Sequence, residues 1–178
     1  MKLTRDEDWK MLEELSREKI LELFFLQIRN IWRVDGLYFL GIEEGFGTEA
    51  ATQIDARCWE IMGRVEARYL REILEIKEID PKSLIYLLRN TSWALDILEK
   101  ESEITEQGAV FRVTECGTQL MRIKKGLKVF PCKEVRFVYL RNFAQELNPG
   151  IRTICRVCPP DERRSNLWCE WEFKFPRK

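Results

Sequence analysis

Apolar residues recur at helical spacing through the first hundred positions and switch to alternation over much of the rest. Thr4 with Glu7 makes a capping box that opens a helix. Its stripe is Trp9, Leu12, Leu15, Ile20, Phe24, Ile28 and Ile31. The period runs on through Asp35-Gly36 to about Glu44, which predicts a kink or two abutting helices there. Gly45-Phe46-Gly47 interrupts it, and Thr48 can cap a second helix with Ile54, Cys58, Ile61, Val65, Tyr69 and Ile73 on its apolar side. Asp80-Pro81 opens a third, expected to reach about Lys100 through Leu84, Leu87, Leu88, Ala94 and Leu98.

Beyond residue 100 the period shortens. Phe111–Thr114 and Leu120–Ile123 alternate on either side of a turn at Gly117, which predicts an antiparallel meander. Pro131 begins a helix through Val135, Val138, Tyr139 and Leu147, closed by Asn148-Pro149-Gly150. Residues 151–157 and 167–175 read as strands, the latter with Cys169, Trp171, Phe173 and Phe175 on one face. The expected architecture is α+β, one domain over 1–178, with a helical part (1–100) packed on an antiparallel sheet carrying one inserted helix (101–178).

A net charge of zero hides an asymmetry: residues 1–100 sum to −5 and residues 101–178 to +5. Opposed halves attract each other, and the basic excess is too small for a nucleic-acid footprint, so no nucleic-acid partner is expected. The charged amino terminus has no signal-peptide core, and no apolar run is long enough to span a bilayer. The expectation is a cytoplasmic protein without a membrane partner, whose cysteines favour metal over disulfides.

Of six cysteines, Cys58 lies on a helical stripe and reads as a small buried hydrophobe. Cys155-Arg-Val-Cys158 has the spacing of a metal knuckle, Cys169 follows from the next strand, and Cys132 sits in a helix's first turn, where the helix dipole favours a thiolate. The four are expected to hold one structural zinc, closed to water. A thioredoxin-like pair would open a helix, whereas two prolines and a charged loop follow here; an iron–sulfur cluster lacks its closely spaced cysteines, and a zinc ribbon lacks its second knuckle. Cys116 is the alternative fourth ligand, a candidate nucleophile, or a filler of the sheet face. The basic residues Arg122, Lys124, Lys125, Lys128 and Lys133 read as a solvated strand end that can offset the charge of a four-thiolate centre.

The chain contains no histidine, which removes the commonest general base and the usual catalytic zinc ligands. No Gly-rich phosphate loop occurs either. The densest candidate for ligand binding is Trp32, Asp35, Tyr38 and Glu43 with Trp59 on the following helix, and Cys116 is added to it. Carboxylates among aromatics suit a polar or cationic ligand in an apolar pocket, and aromatics at helical spacing equally suit core packing.

The spacing of Cys132, Cys155, Cys158 and Cys169 resembles the zinc site of vinyl-4-reductase domains, in which one position of the pair is often a carboxylate. The segments Trp32–Phe39, Phe130-Pro-Cys132 and Trp168–Phe173 are similar to a prokaryotic family related to those domains and sometimes described as similar to 2-aminothiazoline-4-carboxylate hydrolases. The resemblance implies an α+β fold shared with small-molecule sensors and trafficking-complex subunits, a structural metal, an apolar pocket between helices and sheet, and often a dimer. Three functions stand as expectations. The first is a zinc-stabilised module binding a small, partly apolar ligand. The second is a hydrolase of a cyclic amide-like or thiazoline substrate using Cys116 or the Asp35/Glu43 pair. The third is a scaffold for subunit contacts, with a homodimer among the partners.

Overall fold

The computed structural model describes residues 6–164 and 166–176; Thr4 of the expected capping box lies outside them. The elements are α1 (Asp6–Glu13), α2 (Arg17–Ile73), α3 (Pro81–Arg89), α4 (Ser92–Asp96), β1 (Glu99–Thr105), β2 (Gly108–Glu115), α5 (Gly117–Lys124), α6 (Cys132–Leu147), β3 (Arg152–Val157) and β4 (Cys169–Lys174). The strands form one antiparallel sheet in the order β1-β2-β4-β3. The class is α+β. Among the described residues no helix is long and apolar enough to cross a membrane.

The first predicted helix is divided at Ser16, whose hydroxyl accepts the Lys19 amide and restarts the chain as α2. No break occurs at Asp35-Gly36; Gly47 (φ 87°, ψ 163°) is the non-helical residue within α2. A left-handed φ there suits glycine, and the chain folds back on itself. Trp32 and Trp59 would be about 40 Å apart on an unbroken helix, yet their rings stack at 4.6 Å. Residues 17–46 and 48–73 are therefore two antiparallel arms.

The second arm turns a face inward that its apolar pattern does not predict. Ala51, Thr52, Asp55, Ala56, Trp59, Gly63 and Ala67 are buried, whereas Ile54, Cys58, Ile61, Tyr69 and Ile73 are exposed. Cys58 is thus a surface thiol rather than a core residue. Small side chains face inward because α6 lies close. A Cβ added at Gly63 would stand 2.4 Å from the Tyr139 carbonyl oxygen. Gly63→Ala should lower stability by about 1–3 kcal/mol in thermal denaturation, although alanine is the better helix former; a stabilised variant would show the contact to be loose.

The predicted third helix ends early. Asp80 and Ser83 form a reciprocal capping box that starts α3, Thr91 caps α4, and by Glu99 the chain is a strand. β1 is almost wholly exposed and highly charged, as suits a sheet edge, and so carries no alternating apolar signal. Residues 120–123 form not a strand but part of α5, which is built inside out. Gln119 and Arg122 are buried, while Leu120, Met121 and Ile123 are exposed. Gln119 bonds both the amide and the carbonyl of Phe130, and Arg122 reaches the Lys128 carbonyl and Glu43.

The core lies between the sheet's inner face and the helices. Phe111, Val113, Cys169, Trp171 and Phe173 pack against α3 and α6 through Leu84, Leu88, Tyr139, Leu140 and Phe143. The outer face is charged, with Arg112 paired to Glu103 and Glu170, and Arg156 to Glu172. Water suits that face as built.

Candidate functional site

Cys155 and Cys158 are three residues apart and would fall on opposite faces of a regular strand. A bulge prevents this. Cys155 opposes Trp171 but Val157 opposes Glu170, so Arg156 is the extra residue and the phase flips. Just beyond the end of β3, the Cys158 thiol comes to Cys155 and Cys169. Cys132, the first residue of α6, comes to the same point because the Lys133 amide donates to the Pro159 carbonyl. The Cys132 and Cys158 sulfurs are 3.4 Å apart, and the Cys158 thiol has Cys132, Cys155 and Cys169 as hydrogen-bonding neighbours. All four predicted metal residues therefore converge, as free thiols.

Among the described residues, no group of three or more His, Cys, Asp or Glu is placed to hold a metal ion. The Cys132 and Cys158 sulfurs are closer together than two ligands of one zinc ion. A tetrahedron with 2.3 Å zinc–sulfur bonds has edges of about 3.8 Å, so a central ion would spread the 3.4 Å contact by a few tenths of an ångström. The donor set fits: four thiols, two of them fully buried or nearly so. Cationic groups border it. Lys133, ion-paired to Asp161, lies within electrostatic reach of Cys155 and Cys158, and Arg136 lies within reach of Cys132. Asp161 also bonds the Cys158 amide and carbonyl, fixing the turn.

Cys116 precedes α5 and is close enough to Cys132 and Cys169 to feel their charge, but it is not among the Cys158 thiol's neighbours. Burial pushes its thiol up to about 12, so it stays protonated at neutral pH. A nucleophilic cysteine needs the opposite environment.

Of the other ligand-binding candidates, Trp32, Asp35 and Trp59 come together, while Tyr38 is 70% exposed and Glu43 is paired with Arg122. Trp59 donates its indole N–H to Asp35, and Trp32 donates to the Ser92 carbonyl. The space between the rings is filled by the chain itself. The buried Arg136 guanidinium lies 4.7 Å from the Trp93 ring centre and 5.1–5.4 Å from those of Tyr139, Trp32 and Trp59. The carboxylate beside Asp35 is Asp55, not Glu43. Burial raises both; Asp55, pushed up to about 7, is raised further by the Asp35 charge and opposed by Arg136, whereas the Trp59 hydrogen bond and Arg136 oppose the shift of Asp35. One side-chain oxygen of Asp55 and one nitrogen of Arg136 are buried without a protein hydrogen-bond partner. Glu66 completes the cluster, accepting from the Tyr139 hydroxyl and the Ser92 amide. Asp55, Glu66 and Arg136 escape a sequence reading because only the reversal at Gly47 and the docking of α6 bring them to Asp35. The equal distance of Asp35 and Trp59 from Gly47 is the one signal that points there.

Two surface hollows, of about 600 and 450 Å³, lie elsewhere and are lined largely by charged side chains such as Arg68, Glu72 and Glu146 in the first and Glu99, Glu101 and Arg163 in the second. The molecule's apolar surface is instead on its helices. In α2, residues 17–27 are exposed on every side although they include Ile20, Leu21, Leu23, Phe24, Phe25 and Leu26. Val34, Leu37 and Tyr38 continue this surface, and Phe46 at the reversal is 80% exposed.

Residues 13–175 match the model of a family of unknown function, DUF6125. The chain belongs to that family. No curated protein and no solved structure matches it.

Proposed function

We propose that this member of the DUF6125 family is a zinc-stabilised interaction protein, whose metal holds the sheet and α6 together and whose helical arms bind another polypeptide. The observation that carries the reading is the contrast between the two outer surfaces. The sheet presents ion pairs to water, and the first arm of α2 presents Leu23, Leu26, Val34 and Leu37 at 40–68% exposure. Apolar side chains exposed one after another along one side of a helix mark an interaction site. The four converging thiols support a structural zinc. The small-molecule and hydrolase readings have less behind them: Arg136 occupies the aromatic cage, and Cys116 is a protonated thiol.

The test is photo-crosslinking in cells, with a benzophenone residue placed at Leu26 or Leu37 and a control at Glu101 on the exposed edge strand. The arm positions should capture one defined polypeptide, identified by mass spectrometry, and the control should not. Capture at neither arm position would end the interaction reading.

A further inference from the structure

On the first arm of α2, the side turned away from the core carries Leu23, Leu26, Asn30, Val34 and Leu37. Their successive spacings are three, four, four and three, a pattern symmetric about Asn30. The two leucines on the outside and the Leu26/Val34 pair within are thus mirror images along the helix. We infer that the partner of this arm is a second copy of the chain, laid antiparallel with the two-fold axis at Asn30. This rests on the interaction reading above and names its partner.

In that arrangement Leu23 of each copy meets Leu37 of the other, Leu26 meets Val34, and Asn30 meets Asn30. A polar residue at the centre of an apolar helical seam sets its register and orientation. Farther out, Lys19 comes opposite Gly41, where nothing lies within 4 Å of an added Cβ, so the long side chain has room. An isologous contact must be complementary to itself, and a surface of one charge sign cannot be. Residues 17–37 meet the requirement with four basic and three acidic side chains. Area points the same way. The chain exposes 11975 Å², whereas a compact monomer of 21.3 kDa exposes about 9,100 Å². The excess of roughly 2,900 Å² exceeds what each partner contributes to a large obligate dimer, about 1,000–2,500 Å². The second arm adds its own exposed stripe, including Ile54 and Ile61, to the surface available.

Sedimentation equilibrium on the full chain should give about 43 kDa, twice the 21.3 kDa of one copy. Leu26→Glu with Leu37→Glu should give the monomer mass with an unchanged far-ultraviolet circular dichroism spectrum. Geometry is read separately in a Cys58→Ser background. Asn30→Cys should form an intermolecular disulfide on mild oxidation, because only a residue on the axis meets itself. Leu23→Cys alone should not, and Leu23→Cys with Leu37→Cys should. A monomer at 100 µM overturns the proposal, as does a dimer in which Leu23→Cys crosslinks alone and Asn30→Cys does not. If the photo-crosslinks in cells join the arm to a different chain and never to its own, self-pairing falls and the interaction reading stands. If they capture nothing, both fall.

Discussion

Cys158→Ala is expected to abolish zinc binding and lower the melting temperature by about 10–20 °C. The fully buried Cys158 sulfur is the hub of the four-thiol cluster, touching Cys132 at 3.4 Å and neighbouring Cys155 and Cys169. The cluster gathers the start of α6, the end of β3 and the start of β4, where α6 is otherwise held to the strands by packing, the Lys133 amide bond to Pro159 and the Lys133–Asp161 ion pair. A metal that binds the folded site and not the open chain stabilises by its binding free energy, which for structural zinc reaches several kcal/mol or more. Truncating a buried cysteine also costs packing, and a chelator separates the two. In chelated protein the same substitution should cost only about 1 kcal/mol, since the metal's contribution is already gone. Cys58→Ala, at an exposed position on the second arm, should leave both zinc content and melting temperature unchanged. Less than half an equivalent of zinc in purified wild-type protein, or an equal Cys158→Ala penalty with and without chelator, would refute the metal centre.

Asp55→Asn is expected to stabilise the protein at pH 8 and leave it unchanged near pH 4. The Asp55 carboxyl is buried between the arms, beside Asp35, and titrates at about 7 in place of 3.8. Burial is the larger cause and the neighbouring Asp35 charge the next. A folded-state value above the unfolded one means that the protonated form favours folding. That contribution is fully present below pH 4, declines as the pH rises between about 4 and 7, and is gone above 7. Three units correspond to about 4 kcal/mol, or roughly 10 °C in a chain of this length. Asparagine keeps the shape of the protonated acid and cannot ionise. The difference in melting temperature between the variant and wild type should therefore rise from pH 4 to 7 and then level off. Glu43, Asp80 and Asp161, held low chiefly by their hydrogen-bonding partners Arg122, Ser83 and Lys133, are common to both proteins and cancel in the difference. A difference that does not change with pH would mean that Asp55 is not the titrating group.

Much of the second half of the chain was legible because its local signals agree with its packing. Pro131 precedes α6, residues 152–157 and 169–174 are strands, and Cys169, Trp171 and Phe173 do share the buried face. The convergence of the four thiols was legible in part, since the two-residue spacing of Cys155 and Cys158 stands out along the chain. The bulge at Arg156 that makes the spacing work leaves no mark in the sequence, since it appears only in how β3 registers against β4.

The misreadings share one cause. In α5 the buried side is Gln119 and Arg122, inward because they complete the hydrogen bonds of Phe130 and Lys128 and the ion pair with Glu43. In the second arm of α2 the buried side is alanine, glycine and Asp55, because only small residues let α6 approach so closely. In both, the apolar stripe faces out, and a rule that apolar positions mark the core inverts the helix. The sheet edge β1 is the complementary case, a strand in which four of seven residues are charged and no apolar side is there to read.

By itself the sequence determined the α+β class, the helix starts at Asp80 and Pro131 and the alternation of the last strand, because each depends on backbone geometry acting over a few residues. Only the tertiary structure decided which face of each helix turns inward, that the chain reverses at Gly47, and that Arg136 and Asp55 rather than Glu43 accompany Asp35. Those outcomes depend on how closely α6 approaches the arms and on which polar groups remain to be satisfied there, conditions that arise only when segments distant in the chain meet.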